Sequence, residues 1–310
     1  MKKTQFTMEQ AKEGYFLNAA ARGLSESTLR DYDNTINKFI DQVGATTPID
    51  TVTTQDVEEF LVSFDHLSKK TLLNYHTGLS AMWRWALDEK LVESNIVRAI
   101  KPPKPESRAI VPFTETELKL LLGALEKSKP YTRPGKRLCD HSIPGADRNR
   151  AIILLLVDTG LRASELCDIK IEDVDTRNTR IRVLGKGSKE RAVKYSSRTG
   201  QAIWRYLASR PDVRPSDPLF ATLDGYSMDR DNLRHLLDTI GERAKVPDVH
   251  PHRFRHTFAV QFLRNGGDPF TLQDMLGHST LDMVKRYIHL AQSDVDAAHR
   301  RASPVDNWRL

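Results

Sequence analysis

A chain of 310 residues exceeds what one hydrophobic core usually serves, so two domains are the first expectation. With 47 Lys plus Arg against 41 Asp plus Glu, net charge +6, and 28% charged against 39% hydrophobic residues, the sequence reads as a folded, moderately basic protein suited to a polyanionic partner. Cys139 and Cys167 are its only cysteines and no apolar run reaches the length of a membrane span, which argues against a disulfide scaffold, a Cys-x-x-Cys metal or redox pair and a membrane protein, and predicts a cytoplasmic one.

Ser25 suits a helix N-cap, and Leu29, Tyr32, Ile36, Phe39, Ile40 and Val43 recur at the spacing of one buried face that should end at Gly44. A second helix is expected near Thr54, with Val57, Phe60 and Leu61 inward. A third is expected near Ser68, burying Leu72, Tyr75, Leu79, Met82, Trp83 and Ala86. Residues 1–100 therefore read as a small helical domain. On the outward face of its third helix Lys69, Lys70, Thr71, Asn74 and His76 can reach phosphates or base edges; a plain solvated face is the alternative. Pro102, Pro103 and Pro105, set against Lys101 and Lys104, make 101–112 a basic, semi-rigid linker to a second domain over 113–310.

That second domain opens with a helix after Thr114. The stretch from Lys127 to Arg150, with Arg133, Lys136, Arg137, Arg148 and Arg150, reads as an exposed basic loop. Its Cys139, Asp140 and His141 are too close in sequence to close a coordination shell. An apolar run from Ile152 to Val157 follows. Strands are expected at Ile169–Val174, Arg180–Leu184 and Arg191–Tyr195, with Lys186 on the glycine turn between the last two. Helical pattern returns at Gln201–Leu207, Asp231–Ile240, Pro251–Arg264 and Pro269–Tyr287. The fold class is mainly α with a small antiparallel β-sheet (α+β).

Six residues in this domain carry the chemistry. Arg162 follows a glycine turn and can be held by Glu165 one helical turn on. His252 and Arg255 share a face at the amino end of a helix, where the dipole also favours an anion. Phe254, Phe258 and Phe262 line another face, which makes His256 a packed or capping residue. The pair His252 and His256 lacks the acid that a hydrolytic zinc helix requires, so no metal site is expected. A helix break at Gly277, with Ser279 and Asp282 as a capping box for the next helix, lets His278 and Tyr287 face one site.

Each of the six has a use in displacement at phosphorus. Two arginines can bind both non-bridging oxygens and offset the charge growing on them, so neither metal nor other cofactor is required. Tyr287 is the candidate nucleophile, His252 a base or proton relay, Lys186 a general acid for the departing deoxyribose oxygen, and His278 a further phosphate donor. Tyrosine attack keeps the bond energy in a covalent ester, so the step can be reversed by another strand without ATP.

In four separated blocks, Thr159–Leu166, Gly185–Arg191, His252–Ala259 and Leu276–Tyr287, the sequence resembles the tyrosine recombinase, or phage integrase, family, and within it Xer-like and integrative-element members. The resemblance implies a helical, SAM-like core-binding domain before a mixed catalytic domain. It places the family's arginine pair on Arg162 and Arg255, its lysine on Lys186, its histidines on His252 and His278 and its nucleophile on Tyr287. It further implies site-specific recombination through a 3'-phosphotyrosyl link and a Holliday junction, by a homo-tetramer on two double-stranded DNA sites, with accessory DNA-bending or directionality proteins and a nucleoid-associated location. The basic stretch 127–150 departs from compact members. The segment Ala291–Leu310 is expected to dock on a neighbouring subunit through Trp308. A type IB topoisomerase and a catalytically silent DNA-binding regulator are the rival readings.

Overall fold

A computed structural model describes residues 6–105, 110–125, 144–185, 190–210, 212–277 and 280–291, together with Ser303, Val305 and Trp308. The chain divides into two compact units, Met1–Ala109 and Ile110–Leu310.

The first unit is helical: α1 (Met8–Ala21), α2 (Glu26–Val43), α3 (Thr54–Ser63) and α4 (Lys69–Asp88). Ser25 caps α2 through the Thr28 amide, and Gly44 ends it at φ 96°, as the pattern predicts. Phe39 meets Phe60 and Trp83 edge-on, at ring centroid distances of 5.2 and 5.6 Å, and all three are fully buried. The helix α1 has no counterpart in the sequence reading. Its buried positions are Met8, Ala11, Tyr15 and Ala19, so half of its inner face is alanine and the apolar stripe is faint.

The second unit holds α5 (Glu115–Gly123), α6 (Ala146–Thr159), α7 (Ala163–Asp168), β1 (Val174–Asp175), β2 (Arg180–Leu184), β3 (Glu190–Lys194), α8 (Ser197–Ala208), α9 (Arg230–Ala244), α10 (Pro251–Arg264), α11 (Pro269–Leu276) and α12 (Asp282–Ala291). The sheet is antiparallel in the order β1-β2-β3, with Ile181 opposite Val193 and Val183 opposite Arg191. Its main core gathers Ile152, Leu155 and Leu156 of α6, Ile181 and Val183 of β2, Leu233 and Leu237 of α9 and Phe254 of α10. A smaller cluster joins Phe258, Ala259 and Val260 of α10 to Leu272 and Leu276 of α11 and Val284 and Tyr287 of α12.

Three expectations are corrected. Ile169–Val174 is not a strand: Ile171–Asp173 form a 3₁₀ turn, with the Asp173 carboxylate accepting the Lys170 amide at 2.9 Å. The amides of Ile171 and Glu172 donate to Asp217 and Pro215 carbonyls instead of to a sheet ladder. Arg148 and Arg150 are not in a loop, because α6 begins at Ala146. Arg148 is buried and donates to the Ala221 carbonyl at 2.9 Å. Residues 126–143, including Cys139, Asp140 and His141, lie outside the described set. Finally, Asp282 is the first residue of α12 and not its third, since the Leu281 carbonyl already accepts the amides of Val284 and Lys285.

Candidate active site

The carboxyl end of α6 turns at Gly160, whose φ of 61° is costly for other residues and whose added Cβ would meet the Phe258 ring at 2.6 Å. This turn delivers Arg162 as the N-cap of α7. The Arg162 amide donates to Glu165 Oε2 at 2.9 Å and its guanidinium to Oε1 at 2.8 Å. Glu165 also receives both terminal nitrogens of Arg191, at 2.8 and 2.9 Å. Burial alone would raise this carboxyl, but the hydrogen bonds from Arg191 and from Arg162 outweigh it and hold the pKa at about 2.

Three guanidiniums converge on the end of α11. Arg191 Nε donates to the Met275 carbonyl at 3.1 Å, Arg255 Nη2 to Leu276 at 2.7 Å and Arg162 Nη2 to Gly277 at 3.0 Å. The last carbonyls of a helix have no intrahelical partner and carry the negative end of its dipole, so they suit cations. Gly277 closes α11 at φ 62°, which frees its carbonyl to turn toward Arg162. Arg255 is only 4% exposed and also donates to the Gly160 carbonyl at 2.8 Å. Burial, and then Arg162, lower its pKa to about 10, which leaves it charged at neutral pH.

His252 stands exposed on the first turn of α10, one turn before Arg255. Partial loss of hydration, then Arg255 and Arg162, lower its pKa and favour a neutral ring. Tyr287 of α12 is 5% exposed, and its hydroxyl lies 2.8 Å from Nδ1 of His256. Burial raises the phenol's pKa against the lowering influence of Arg255 and Arg286. Arg162, His252, Arg255 and Tyr287 are thus linked through α10, the Gly160 turn and the end of α11. Lys186 and His278 lie outside the described residues.

Sequence reasoning missed two contributors. Arg191 faces Val183, an inward position of β2, and a charge there needs a buried partner, so the strand alternation held the signal. His256 was read as packed or capping; it packs, but onto the hydroxyl of Tyr287. Among the described residues no group of three or more His, Cys, Asp or Glu could hold a metal.

In the first unit, Lys69, Lys70 and Asn74 are exposed on α4. Thr71 is half-buried, its hydroxyl 2.9 Å from that of the N-cap Ser68. His76 departs from the expectation. It is 7% exposed, and Nε2 lies 3.1 Å from the carbonyls of both Val97 and Ile100, so it fastens the turn Ile96–Ala99 to α4. No helix among the described residues is long and apolar enough to cross a membrane.

Residues 113–294 match the model of the phage integrase family, and residues 14–93 match that of the phage integrase N-terminal SAM-like domain. Tyrosine recombinase XerC of Staphylococcus aureus (strain USA300 / TCH1516) is 30% identical over 301 residues, covering 93% of this chain and 95% of that protein. XerC of Staphylococcus carnosus (strain TM300) is 38% identical over 160 residues, about half of each chain at 51% and 54%. Among solved structures, the Tn1549 transposon integrase in complex with transposon right end DNA superposes with a TM-score of 0.75 at 21% identity, covering 96% of this chain and 98% of that one. The matched family, the arginine cluster and the buried tyrosine together make this chain a member of the phage integrase family, a site-specific DNA recombinase of the tyrosine type.

Proposed function

We propose that the chain cuts and rejoins double-stranded DNA at defined sites through Tyr287, by way of a 3'-phosphotyrosyl intermediate and a Holliday junction. The observation that carries this reading is the approach of Arg162 and Arg255 to adjacent carbonyls, Gly277 and Leu276, in the same small cluster of elements that buries Tyr287. Two guanidiniums so placed can meet the non-bridging oxygens of a phosphate, and a low-dielectric setting strengthens what they contribute as charge develops there. His252, neutral and exposed one turn before Arg255, is placed to relay a proton. From their sequence context, Lys186 protonates the leaving 5'-oxygen and His278 adds a hydrogen bond to the phosphate.

Residues 1–100 act as the core-binding domain, joined through 101–112 to the catalytic residues 113–310. Lys69 and Lys70 occupy the first turn of α4, where the helix dipole opposes cations, a placement that a phosphate nearby would compensate. Lys69, Lys70, Thr71 and Asn74 are the proposed DNA contacts, and His76 is assigned to structure instead. The working assembly is a homo-tetramer on two sites, with accessory DNA-bending or directionality proteins, in the DNA-associated cytoplasm. The chemistry needs neither a metal nor ATP.

The experiment is to incubate the parent and Tyr287→Phe with sheared genomic DNA in excess chelator and to map tyrosine-linked ends. The parent should give covalent ends at a repeated sequence and Tyr287→Phe none, with DNA binding retained. Two marked copies of that sequence should then yield hybrids. Supercoil relaxation without hybrids favours a topoisomerase, and binding without any covalent complex favours a silent regulator.

A further inference from the structure

We propose that His256 accepts the phenolic proton of Tyr287 during strand cleavage, an inference that rests on Tyr287 being the nucleophile. Nδ1 of His256 lies 2.8 Å from the reacting oxygen, with ring centroids 5.6 Å apart and planes inclined by 50°. That distance is within reach of direct proton transfer in the ground state. For Nδ1 to receive the phenolic hydrogen, the neutral imidazole carries its own proton on Nε2. The pair is set by two helices, α10 and α12, whose apolar residues Phe258 and Val284 share one cluster with Leu276 of α11, so the alignment is built into the packing.

The charged surroundings couple this proton transfer to DNA binding. His250, the N-cap of α10, and His252 and Arg255 within it all discourage a second positive charge, and after burial they contribute to a His256 pKa of about 4. On α12 the facing group is Tyr287, with Arg286 beside it in sequence. The other helices against α10, namely α6 and α11, contribute the buried Leu155, Leu156, Leu272 and Leu276. Of their acids, Asp158 is bonded to Ser196 and Thr199, and Asp147 and Asp274 are exposed. A phosphodiester held by Arg162 and Arg255 adds a negative charge to this set and raises the basicity of His256 when substrate is in place. The step then balances: the Tyr287 Oη–P bond forms, the P–O5' bond breaks, the phenolic proton moves to His256 Nδ1, and the 5'-oxygen leaves as a hydroxyl with a proton from the general acid.

The test is single-turnover cleavage of a nicked duplex carrying the mapped site, as a function of pH, for the parent, His256→Ala, His256→Asn and Tyr287→Phe. Asparagine keeps an acceptor near the place of Nδ1 but takes up no proton. Both His256 variants are expected to cleave at least ten-fold more slowly near pH 7, with unchanged DNA affinity, and to recover as hydroxide replaces the missing base. They should also lose the parent's acid limb. Hydrogen exchange of residues 282–291 reports whether α12 stays docked, and His256→Asn should exchange like the parent. Parental rates in His256→Asn would reduce His256 to a hydrogen-bonding support, and equal or faster cleavage by His256→Ala would make it a restraint; either overturns the proposal. Loss of the covalent complex in Tyr287→Phe, with the parent active, keeps the nucleophile assignment standing whatever His256 does. No covalent complex in the parent would overturn both.

Discussion

The two halves of the active site are held by different physics. Around Glu165 every contact is charge-assisted: three donors from two arginine side chains, plus one backbone amide, meet one buried carboxylate. Around Tyr287 a hydrogen bond to a neutral imidazole sits within a small apolar cluster to which α12 contributes Val284 and Tyr287 as its buried residues. In the proposed reaction the first half fixes where a phosphate binds. The second sets the proposed nucleophile against an uncharged base and apolar side chains, so that on this reading its protonation can respond to the substrate.

This contrast is easiest to break at Glu165. Glu165→Gln removes the charge that offsets two arginines in a buried site, and breaking such a pair should cost about 3–5 kcal/mol. Urea unfolding measures it, and a loss below about 1 kcal/mol would mean that the cluster is solvated like an exposed pair. Arg191→Met leaves Arg162 on the carboxylate and should cost less, roughly 1.5–3 kcal/mol by the usual worth of hydrogen bonds to charged groups. Its effect on cleavage should exceed its effect on DNA affinity, because Arg191 touches Glu165 and the Met275 carbonyl and shapes the seat of Arg162.

Acid titration separates the halves. Glu165 has its pKa lowered from 4.5 to about 2, so the stability it contributes is present above 4.5 and is lost as pH falls toward 2. His256 is lowered from 6.5 to about 4, so between those values the unfolded chain binds the extra proton and stability falls as pH drops through that window. His250 and His252 are lowered too and add to the same limb. In unfolding measured against pH, His256→Asn should flatten the upper limb and leave the lower one, and Glu165→Gln should do the reverse. In the first unit the expected effect is smaller. Lys69→Ala and Lys70→Ala should each weaken DNA binding evenly across sequences and reduce the salt slope by roughly one. A change in sequence preference would instead mean base contact.

How much of this was legible depended on whether the signal was periodic. The buried faces of α2, α3 and α4 and the break at Gly277 show in apolar spacing and in cap residues. The faint stripe of α1 does not, because alanine is buried there without announcing it. His76 sits one residue from a buried Tyr75 and turns inward to satisfy two carbonyls that come from twenty-one and twenty-four residues away, which no local pattern encodes. The pairing of His256 with Tyr287, thirty-one residues apart, is hidden for the same reason. Glu165 was found because its partner Arg162 lies one helical turn away, whereas Arg191 reaches it from a strand. Local partners were readable in the sequence, and those supplied by tertiary packing were not.

The identity of the DNA-linked residue tests the role of Tyr287 most directly. The parent should be trapped on a nicked duplex bearing its mapped site in excess chelator, digested with protease and nuclease, and analysed by mass spectrometry for the peptide that retains a nucleotide. A single adduct on Tyr287, linked to a 3'-phosphate and absent from Tyr287→Phe, is expected. An adduct on another residue, a 5'-phosphate link, or loss of the adduct on metal removal would contradict it.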